Sequence, residues 1–332
     1  MIPQNIWRPC ARRTDLSFMK EFTYILAVDP GGTKCDALLV AAGGTLLEHY
    51  RLRDGVMGGR HPQIIRRAIK QVLKRHKPAP LRVVTFVGRR QHSLQSWRKL
   101  LPQPWRSRSH ILPSWESISA LAATGHSFGM VVAAGTGAFV AMRTSSGRET
   151  SLDGIGPVLG DSGSGYSIGR EALRALAREM QLQRPATRLC ERVLQACDCR
   201  DLRELVKFSL QPRDRSRIAS LSKIVDEEAR AGDRLARRLL RDGATAMAGT
   251  VRDLVKHLRI AGKEFPLVSA GSVATHSDIY WRELCRQVRQ IAPRVKPMRV
   301  PLPPVAGLAA IGLANATATA KLFATLKKEL II

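Results

Sequence analysis

A strand, a glycine turn and a second strand follow one another twice in this chain, and this repeat constrains the fold most. A buried-strand pattern over 23–28 is followed by the turn 29–34 (DPGGTK) and by a second strand over 36–41. The same order recurs as a strand over 130–134, a glycine-threonine-glycine turn and a strand over 138–142. Short apolar and β-branched runs bounded by glycine are typical of strands. The sequence therefore predicts an α/β protein built from two duplicated units.

The remaining segments predict where the two domains begin and end. A length of 332 residues gives a prior of roughly two domains. We expect a first α/β domain over 23–126 and a second over 127–316, the latter with a helical insertion because strand signals are nearly absent from 164 to 257. The C-terminal helix over 317–332 is expected to pack back on the first domain. Residues 1–22 are expected to be a disordered extension, with Met1 and Met19 as alternative starts.

The charge of the chain is strongly positive and unevenly distributed. Lys and Arg number 54 against 27 Asp and Glu, a net charge of +27. Between Ala37 and Trp115 there are 16 Lys and Arg but only Glu48 and Asp54 as acids. Such a field attracts polyanions, but only 5% of the residues are aromatic and could offer stacking platforms. We expect non-specific polyanion binding, with a nucleic-acid-associated protein that uses the basic first domain as an alternative.

Hydropathy and cysteine usage bear on the compartment. No stretch reaches the roughly 18 uninterrupted apolar residues of a spanning helix, and the first 22 residues lack the apolar core of a signal peptide. We therefore expect no membrane partner. The six cysteines are scattered without paired C-x-x-C spacing, which argues against a secreted disulfide framework. A cytoplasmic protein with reduced thiols is the expectation.

The first glycine turn carries groups that suit phosphate binding. Gly31 and Gly32 would present backbone N–H groups, to which Thr33 adds a hydroxyl and Lys34 an ammonium. Asp29, at the end of the preceding strand, offers a carboxylate for Mg²⁺, often through water. The spacing is not that of the P-loop, and a strand rather than a helix follows. A plain tight hairpin is the alternative when this turn is considered alone.

Three motifs in order resemble a known family. They are residues 29–36 (DPGGTKCD), 134–137 (AGTG) and 159–170 (LGDSGSGYSIGR). Together they resemble the BadF/BadG/BcrA/BcrD ATPase family, most closely its N-acetylglucosamine kinase branch, over about 24–320. The resemblance implies an actin/hexokinase-like (ribonuclease H-like) fold of two α/β domains with an interdomain cleft that binds nucleotide and substrate. It also implies a homodimeric, ATP-dependent kinase that uses Mg²⁺ to phosphorylate a hydroxyl of an amino sugar such as N-acetylglucosamine or glucosamine.

The resemblance assigns the nucleotide side of the site. The first turn would hold the β- and γ-phosphates, and Asp29 would bind magnesium. The second phosphate turn would be Gly135, Thr136 and Gly137. The adenosine motif, which is usually a glycine pair after a strand, corresponds to Ala270 and Gly271, so one glycine is replaced.

The acceptor side departs further from the family pattern. The catalytic base of the family is an Asp, and Glu116 stands at its position. His61 stands where an Asn contacts the sugar, and Asp161 is kept as a sugar-hydroxyl ligand although Ser162 replaces the acid beside it. A changed acceptor, such as an acidic sugar, fits these departures. So does a decayed kinase that still binds nucleotide.

A second branch of the same family offers another interpretation of the chain. Its members are activators that hold an iron–sulfur cluster at the dimer interface through cysteine thiolates. The turn at 135–137 is similar to theirs, but no cysteine stands near it, and a cluster without thiolates lacks ligands.

Overall fold

The computed structural model describes residues 22–31, 34–53, 61–86, 94–210 and 215–330. Within them the chain divides into two compact units. The first unit runs to Ala123 and also includes Thr144–Arg148 and the chain from Leu302 onward, whereas the second comprises Thr124–Arg143 and Glu149–Pro301. The predicted N-terminal extension lies outside the described residues except for Phe22.

The first unit is a five-stranded sheet with helices. Its strands are β1 (Tyr24–Pro30), β2 (Lys34–Ala41), β3 (Leu46–Arg53), β4 (Leu81–Phe86) and β5 (Ser109–Ser114), and its first helices are α1 (Pro62–Leu73), α2 (Leu94–Leu100), α3 (Gln103–Arg106) and α4 (Glu116–Ala123). The strand order is β3-β2-β1-β4-β5. β1 is antiparallel to β2 and parallel to β4, and β4 is parallel to β5. The glycine turn makes the antiparallel hairpin, and the helical crossover from β4 to β5 makes the parallel pair.

The second unit repeats this arrangement. It contains strands β6 (Gly129–Ala134), β7 (Ala138–Arg143), β8 (Glu149–Asp153), β9 (Pro266–Ala270) and β10 (Lys296–Met298), and helices α5 (Gly165–Gln181), α6 (Arg188–Cys197), α7 (Leu202–Ser209), α8 (Arg215–Arg230), α9 (Arg234–Leu258), α10 (Ser272–His276) and α11 (Asp278–Ile291). The order β10-β9-β6-β7-β8 matches the first sheet strand for strand. The antiparallel and parallel pairs fall in the same places. Two sheets of one topology follow from the repeated strand-turn-strand pattern.

The end of the chain returns to the first unit. Helices α12 (Pro304–Leu313) and α13 (Ala316–Leu330) follow β10, and α12 packs against α4 and β1. The sequence analysis assigns residues up to 316 to the second domain, whereas the structure places 302–316 with the first unit. The reason is that α12 is apolar nearly all round and most of its residues are buried, so it needs a layer on each side.

The second unit contains the predicted helical insertion. Helices α5 to α9 span Gly165 to Leu258, and the described residues of this range, 165–210 and 215–258, include no strand. These helices share one apolar core with β6, β7 and β9. The five described cysteines are buried, reduced thiols. In the described parts of the chain, no helix combines the length and the apolar character needed to cross a bilayer.

Candidate functional site

Two acidic residues that the sequence predicts to belong to the site lie at one edge of the first unit's sheet. Asp29 is the second-last residue of β1 and is only 8% exposed, whereas the exposed Glu116 begins α4 just beyond β5. β1 and β5 are both parallel to β4, which separates them, so their carboxyl ends share one edge of the sheet. Two strand spacings correspond to about 10 Å. In open α/β sheets, ligands bind outside the carboxyl ends of the strands.

The first glycine turn is a tight hairpin at the same edge. The Gly31 N–H donates to the Lys34 carbonyl at 2.8 Å, and a Cβ on Gly31 would stand 3.0 Å from that oxygen. Gly32 and Thr33, both predicted to bind phosphate, lie outside the described residues. The Lys34 ammonium lies 3.3 Å from a carboxylate oxygen of Asp36. Close approach of the backbone therefore favours glycine here.

Asp36 organises a cluster that the sequence analysis did not identify as functional. Its side chain has no exposed surface and accepts from Arg51 Nε at 2.6 Å, with His49 Nε2 at 3.5 Å. Burial by itself would raise the pKa of Asp36, but hydrogen bonds from His49 and Arg51 and the charges of Lys34 and Arg51 lower it to about 2. The carboxylate is therefore ionised, and it holds Lys34 at the base of the turn.

Asp29 fits a magnesium ligand of the kind that keeps most of its waters. It is a single carboxylate at a strand end, directly opposite Asp36 in the β1–β2 register. Among the described residues no cluster of three or more His, Cys, Asp or Glu side chains could cage a metal. Mg²⁺ needs no such cage, because one or two carboxylates with water and substrate phosphates suffice.

Burial, followed by the charges of Asp29 and Asp36, raises the pKa of the neighbouring Cys35 thiol to about 12, which leaves that thiol inert.

Close packing of α4 on α12 positions Glu116. A Cβ on Gly307 would stand 2.0 Å from the Ser119 carbonyl, and the Ser119 hydroxyl donates to the Pro304 carbonyl at 2.7 Å.

His61 is the residue before α1, where its Nδ1 accepts from the Gln63 N–H at 3.3 Å. A histidine in that role caps a helix, so its place in the fold neither requires nor excludes contact with a sugar.

The second glycine turn is held between β6 and the start of α5. Gly135 donates to the Gly137 carbonyl at 2.9 Å, and its own carbonyl accepts from the Gly165 N–H at 2.7 Å. Gly271 has φ +75°, and a Cβ there would stand 2.5 Å from the Ala134 carbonyl. Gly271 is therefore required both by its conformation and by its contact with the turn. The predicted phosphate turn and the predicted adenosine motif lie side by side.

Asp161 joins the third motif to this turn. Its Oδ1 accepts from the Ala138 N–H at 3.0 Å, directly after Gly137. Burial raises the pKa of Asp161. The hydrogen bond from Ala138 lowers this pKa, whereas the charge of the nearby Asp153 raises it. Asp161 therefore braces the predicted phosphate turn with one carboxylate oxygen.

Asp153, at the end of β8, holds the loop that carries Asp161. Its Oδ1 accepts from the N–H groups of Gly154, at 2.8 Å, and of Asp161, and its Oδ2 accepts from Ser162 at 3.0 Å. On the other side of the loop, the buried Tyr280 hydroxyl donates to the Gly163 carbonyl at 3.0 Å. The sequence analysis missed Asp153, because no local pattern in the sequence connects it with the loop that it holds.

The structure thus brings the predicted residues together in two groups. In the first unit these are Asp29, Gly31, Lys34 and Glu116 at one sheet edge. In the second unit Gly135, Thr136, Gly137, Asp161, Ala270 and Gly271 surround one turn. Each group contains the residue types that phosphate binding or proton transfer uses.

Comparison with known proteins gives a family and two curated relatives. The model of the BadF/BadG/BcrA/BcrD ATPase family matches residues 26–311. The chain is 29% identical over 192 residues to an N-acetyl-D-glucosamine kinase of Dictyostelium discoideum, covering 57% of this chain and 60% of that protein. It is 27% identical over 169 residues to an N-acetylmuramic acid/N-acetylglucosamine kinase of Clostridium acetobutylicum, covering 51% and 55%. The matches therefore span less than two thirds of these relatives.

Solved structures confirm the predicted actin/hexokinase-like fold. A crystal structure from Chromobacterium violaceum, provisionally assigned as an N-acetylglucosamine kinase, has a TM-score of 0.64 and 20% identity and covers 88% of this chain and 99% of that one. A Schistosoma mansoni hexokinase complexed with glucose has a TM-score of 0.55 and 11% identity and covers 90% and 86%.

Proposed function

Because the chain belongs to the BadF/BadG/BcrA/BcrD ATPase family, we propose that it is an ATP-dependent kinase that phosphorylates a hydroxyl of an amino sugar such as N-acetylglucosamine or glucosamine, or of a related small molecule. The observation that carries this proposal is the placement of Asp29 and Glu116 at the carboxyl edge of one sheet, beside a glycine turn. Amino-sugar kinase relatives support the substrate class.

The nucleotide side would act by binding and by neutralising charge. Backbone donors at 31–34 and 135–137, with the Lys34 ammonium, would orient the phosphates for transfer. Asp29 would hold Mg²⁺, which when bound supplies the charge neutralisation that phosphoryl transfer requires. Asp36 would keep Lys34 at the turn through its charge. The hydrogen bond that the Ala138 N–H donates to Asp161 would keep the second turn in place.

The acceptor side would act by orienting and deprotonating a hydroxyl. Glu116 would accept the proton of the attacking hydroxyl as its oxygen bonds to the γ-phosphorus of ATP and the bond from that phosphorus to the bridging oxygen breaks, which releases ADP. Its stem is one methylene longer than that of the family's aspartate, and a displacement of about 1 Å can cost on the order of 100-fold in rate. The acceptor would therefore sit slightly farther from the helix backbone than in the relatives. His61 and Asp161 are the proposed sugar contacts.

A nucleotide-binding protein without transfer activity is the second candidate. It is favoured by one observation, which is that the departures from the family pattern collect on the acceptor side at Glu116, His61 and Ser162, whereas both glycine turns are kept. Such a protein would bind Mg-ATP and turn over no sugar.

A coupled ADP-release assay separates the two. The protein is incubated with Mg-ATP and, one at a time, with N-acetylglucosamine, glucosamine, N-acetylmuramic acid and glucuronic acid. We expect acceptor-dependent ADP release with at least one amino sugar, and little release without an acceptor. Binding of Mg-ATP with no acceptor-dependent release from any of them would contradict the kinase and leave the nucleotide-binding protein.

A further inference from the structure

The long acid-free segment of the first unit contributes only His61 to the proposed kinase reaction, and its basic residues have no role there. From residue 55 to residue 115 the chain contains no Asp or Glu. The same stretch contains 14 basic residues, namely Arg60, Arg66, Arg67, Lys70, Lys74, Arg75, Lys77, Arg82, Arg89, Arg90, Arg98, Lys99, Arg106 and Arg108. Its described part forms α1, β4, α2, α3 and β5.

Part of this segment lines a cavity between α2, α3 and the start of β5. The cavity has a volume of about 470 Å³ and is lined by Arg98, Lys99, Arg106 and His110, with Ile111 and Leu94 as its apolar wall. Among the described residues of the lining there is no acidic side chain. Ligand pockets of about 300–1,000 Å³ suit compact organic molecules. The cavity is thus of ligand size and positive.

The guanidinium groups are held in place without being neutralised. Arg98 Nη2 donates to the Ser109 carbonyl at 3.3 Å, and Arg106 donates to the carbonyls of Leu101 and Lys99 at 2.9 and 3.2 Å. Within the described residues, none of the four basic side chains of the cavity forms an ion pair. Burial, with the charges of Arg82 and Arg98, lowers the pKa of His110. The site therefore carries positive charge that no neighbouring carboxylate balances.

We propose that this cavity binds a small phosphorylated molecule, as an anion site separate from the two glycine turns. Guanidinium and ammonium groups suit phosphate, and an apolar wall suits the rest of a compact ligand. A nucleic acid fits less well, because the described lining includes no Trp, Tyr or Phe ring on which bases could stack, and the nearby Trp97 and Trp105 are only 1% and 3% exposed.

The position of the cavity separates it from the proposed phosphotransfer edge. His110 is the second residue of β5, whereas Glu116 follows the opposite end of that strand. Four residues of strand from His110 to Ser114 correspond to about 13 Å. A ligand in the cavity would therefore occupy the amino end of the strand and leave the carboxyl edge open.

Binding of inorganic pyrophosphate to the full chain tests the proposal, with the His110 imidazole as the local NMR reporter. The His110 signals are assigned by their loss in His110→Gln, and EDTA is present so that no metal contributes. We expect a saturable shift of the His110 signals. Its apparent Kd should weaken at least tenfold in Arg98→Gln combined with Lys99→Gln. It should change less than twofold in Arg66→Gln combined with Arg67→Gln, which removes the same charge from exposed positions of α1.

Three outcomes would overturn the proposal. In the first, sodium chloride at the same ionic strength shifts the His110 signals as much as pyrophosphate does. In the second, both double variants weaken pyrophosphate binding equally, and in the third, a single-stranded oligonucleotide saturates the shift at a lower phosphate concentration than pyrophosphate. The first two would leave only diffuse charge, and the third would indicate a nucleic-acid partner. Should the Arg98/Lys99 double variant fail to fold, Lys99→Gln alone replaces it, and a weakening of less than twofold would count against the site.

Discussion

Glu116 is the proposed general base of phosphoryl transfer. It begins α4 at the carboxyl edge of the first sheet, and the packing of α4 on α12 fixes the backbone from which its side chain extends. An acid in the first turn of a helix is also favoured by the helix dipole alone. Its substitution therefore distinguishes a catalytic base from a residue that only stabilises the helix.

Glu116→Gln keeps the shape of the side chain and removes its ability to accept a proton. We expect kcat for sugar phosphorylation to fall by about 100-fold or more while the Kd for Mg-ATP hardly changes. Glu116→Asp should retain turnover or improve it on N-acetylglucosamine. Glu191→Gln, at an exposed position of α6, is the control. An unchanged rate in Glu116→Gln would move the base to Asp161.

Asp153 is a positioning residue for the loop that ends at Asp161. Asp153→Ala removes the acceptor of three backbone N–H groups, those of Gly154, Asp161 and Ser162. We expect hydrogen exchange across 154–164 to rise at least tenfold, with a smaller change elsewhere in the second unit. The control is Asp242→Ala, at an exposed position of α9. Equal exchange of this segment in the variant and the wild type would show that other contacts hold the loop.

The ion cluster around Asp36 makes stability depend on pH. Because the pKa of Asp36 in the folded state, about 2, lies below the ordinary value of 3.8, ionised Asp36 stabilises the fold fully above about pH 4. This contribution is lost as pH falls towards 2. The difference corresponds to about 2 kcal/mol. In urea unfolding, Asp36→Asn should be less stable than wild type by about this amount at pH 7. The gap should narrow between pH 4 and pH 2.

A matched control for the Asp36 experiment is Asp278→Asn. Asp278 also pairs with an arginine, Arg299, at 2.7 Å, but its side chain is 58% exposed. Solvent screens such a pair, so its loss should cost much less than the loss of the buried carboxylate. If the two variants were equally destabilised at pH 7, burial of Asp36 would not be the source of the effect.

At the scale of elements, the contact of α12 with α4 connects the end of the chain to the candidate base. Gly307 provides the space in which the Ser119 carbonyl lies. We expect Gly307→Ala to push the two helices apart and to destabilise the protein by roughly 1–3 kcal/mol, since overpacking costs about that much. Turnover should fall with it, because Glu116 is carried on α4. Thermal unfolding and the ADP-release assay measure the two effects.

Gly249→Ala on α9 is the control for this prediction. It is also a glycine within a helix, but the nearest atom to an added Cβ is an Arg252 guanidinium nitrogen at 3.6 Å. Alanine favours the helix by about 1 kcal/mol over glycine, so this variant should be as stable as wild type or more stable. A neutral Gly307→Ala variant would show that the α4–α12 contact can relax without cost.

At the scale of the whole molecule, both units carry a glycine turn that the sequence predicts to bind nucleotide. A ligand that binds the folded state at 100 times its Kd stabilises it by about 2.7 kcal/mol. We therefore expect Mg-ATP to raise the Tm by a few degrees, and ATP with EDTA to raise it less. A thermal-shift titration without any rise would contradict the kinase and the nucleotide-binding protein alike.

Local patterns were sufficient to predict much of this protein. Strands, the two glycine turns, the helical insertion and the family motifs depend on residues within a few positions of one another, so each leaves a periodic or compositional signal. These signals predicted the duplicated α/β fold, and the family match and the sheet topology confirm it. The placement of Asp29 and Glu116 at one edge follows from the order of parallel strands. The roles of the predicted site residues stay predictions.

Only the tertiary structure decided the features that join distant residues. The polar strand β8, exposed in part, has no apolar alternation to reveal it, and the bonds from its last residue, Asp153, become visible only when the loop is folded. The return of 302–316 to the first unit depends on Gly307 meeting Ser119, which lies 188 positions earlier (307 minus 119). Likewise, Asp36 is ionised because β3 brings His49 and Arg51 to it. A contact between residues far apart in sequence leaves no local period, so packing alone determines it.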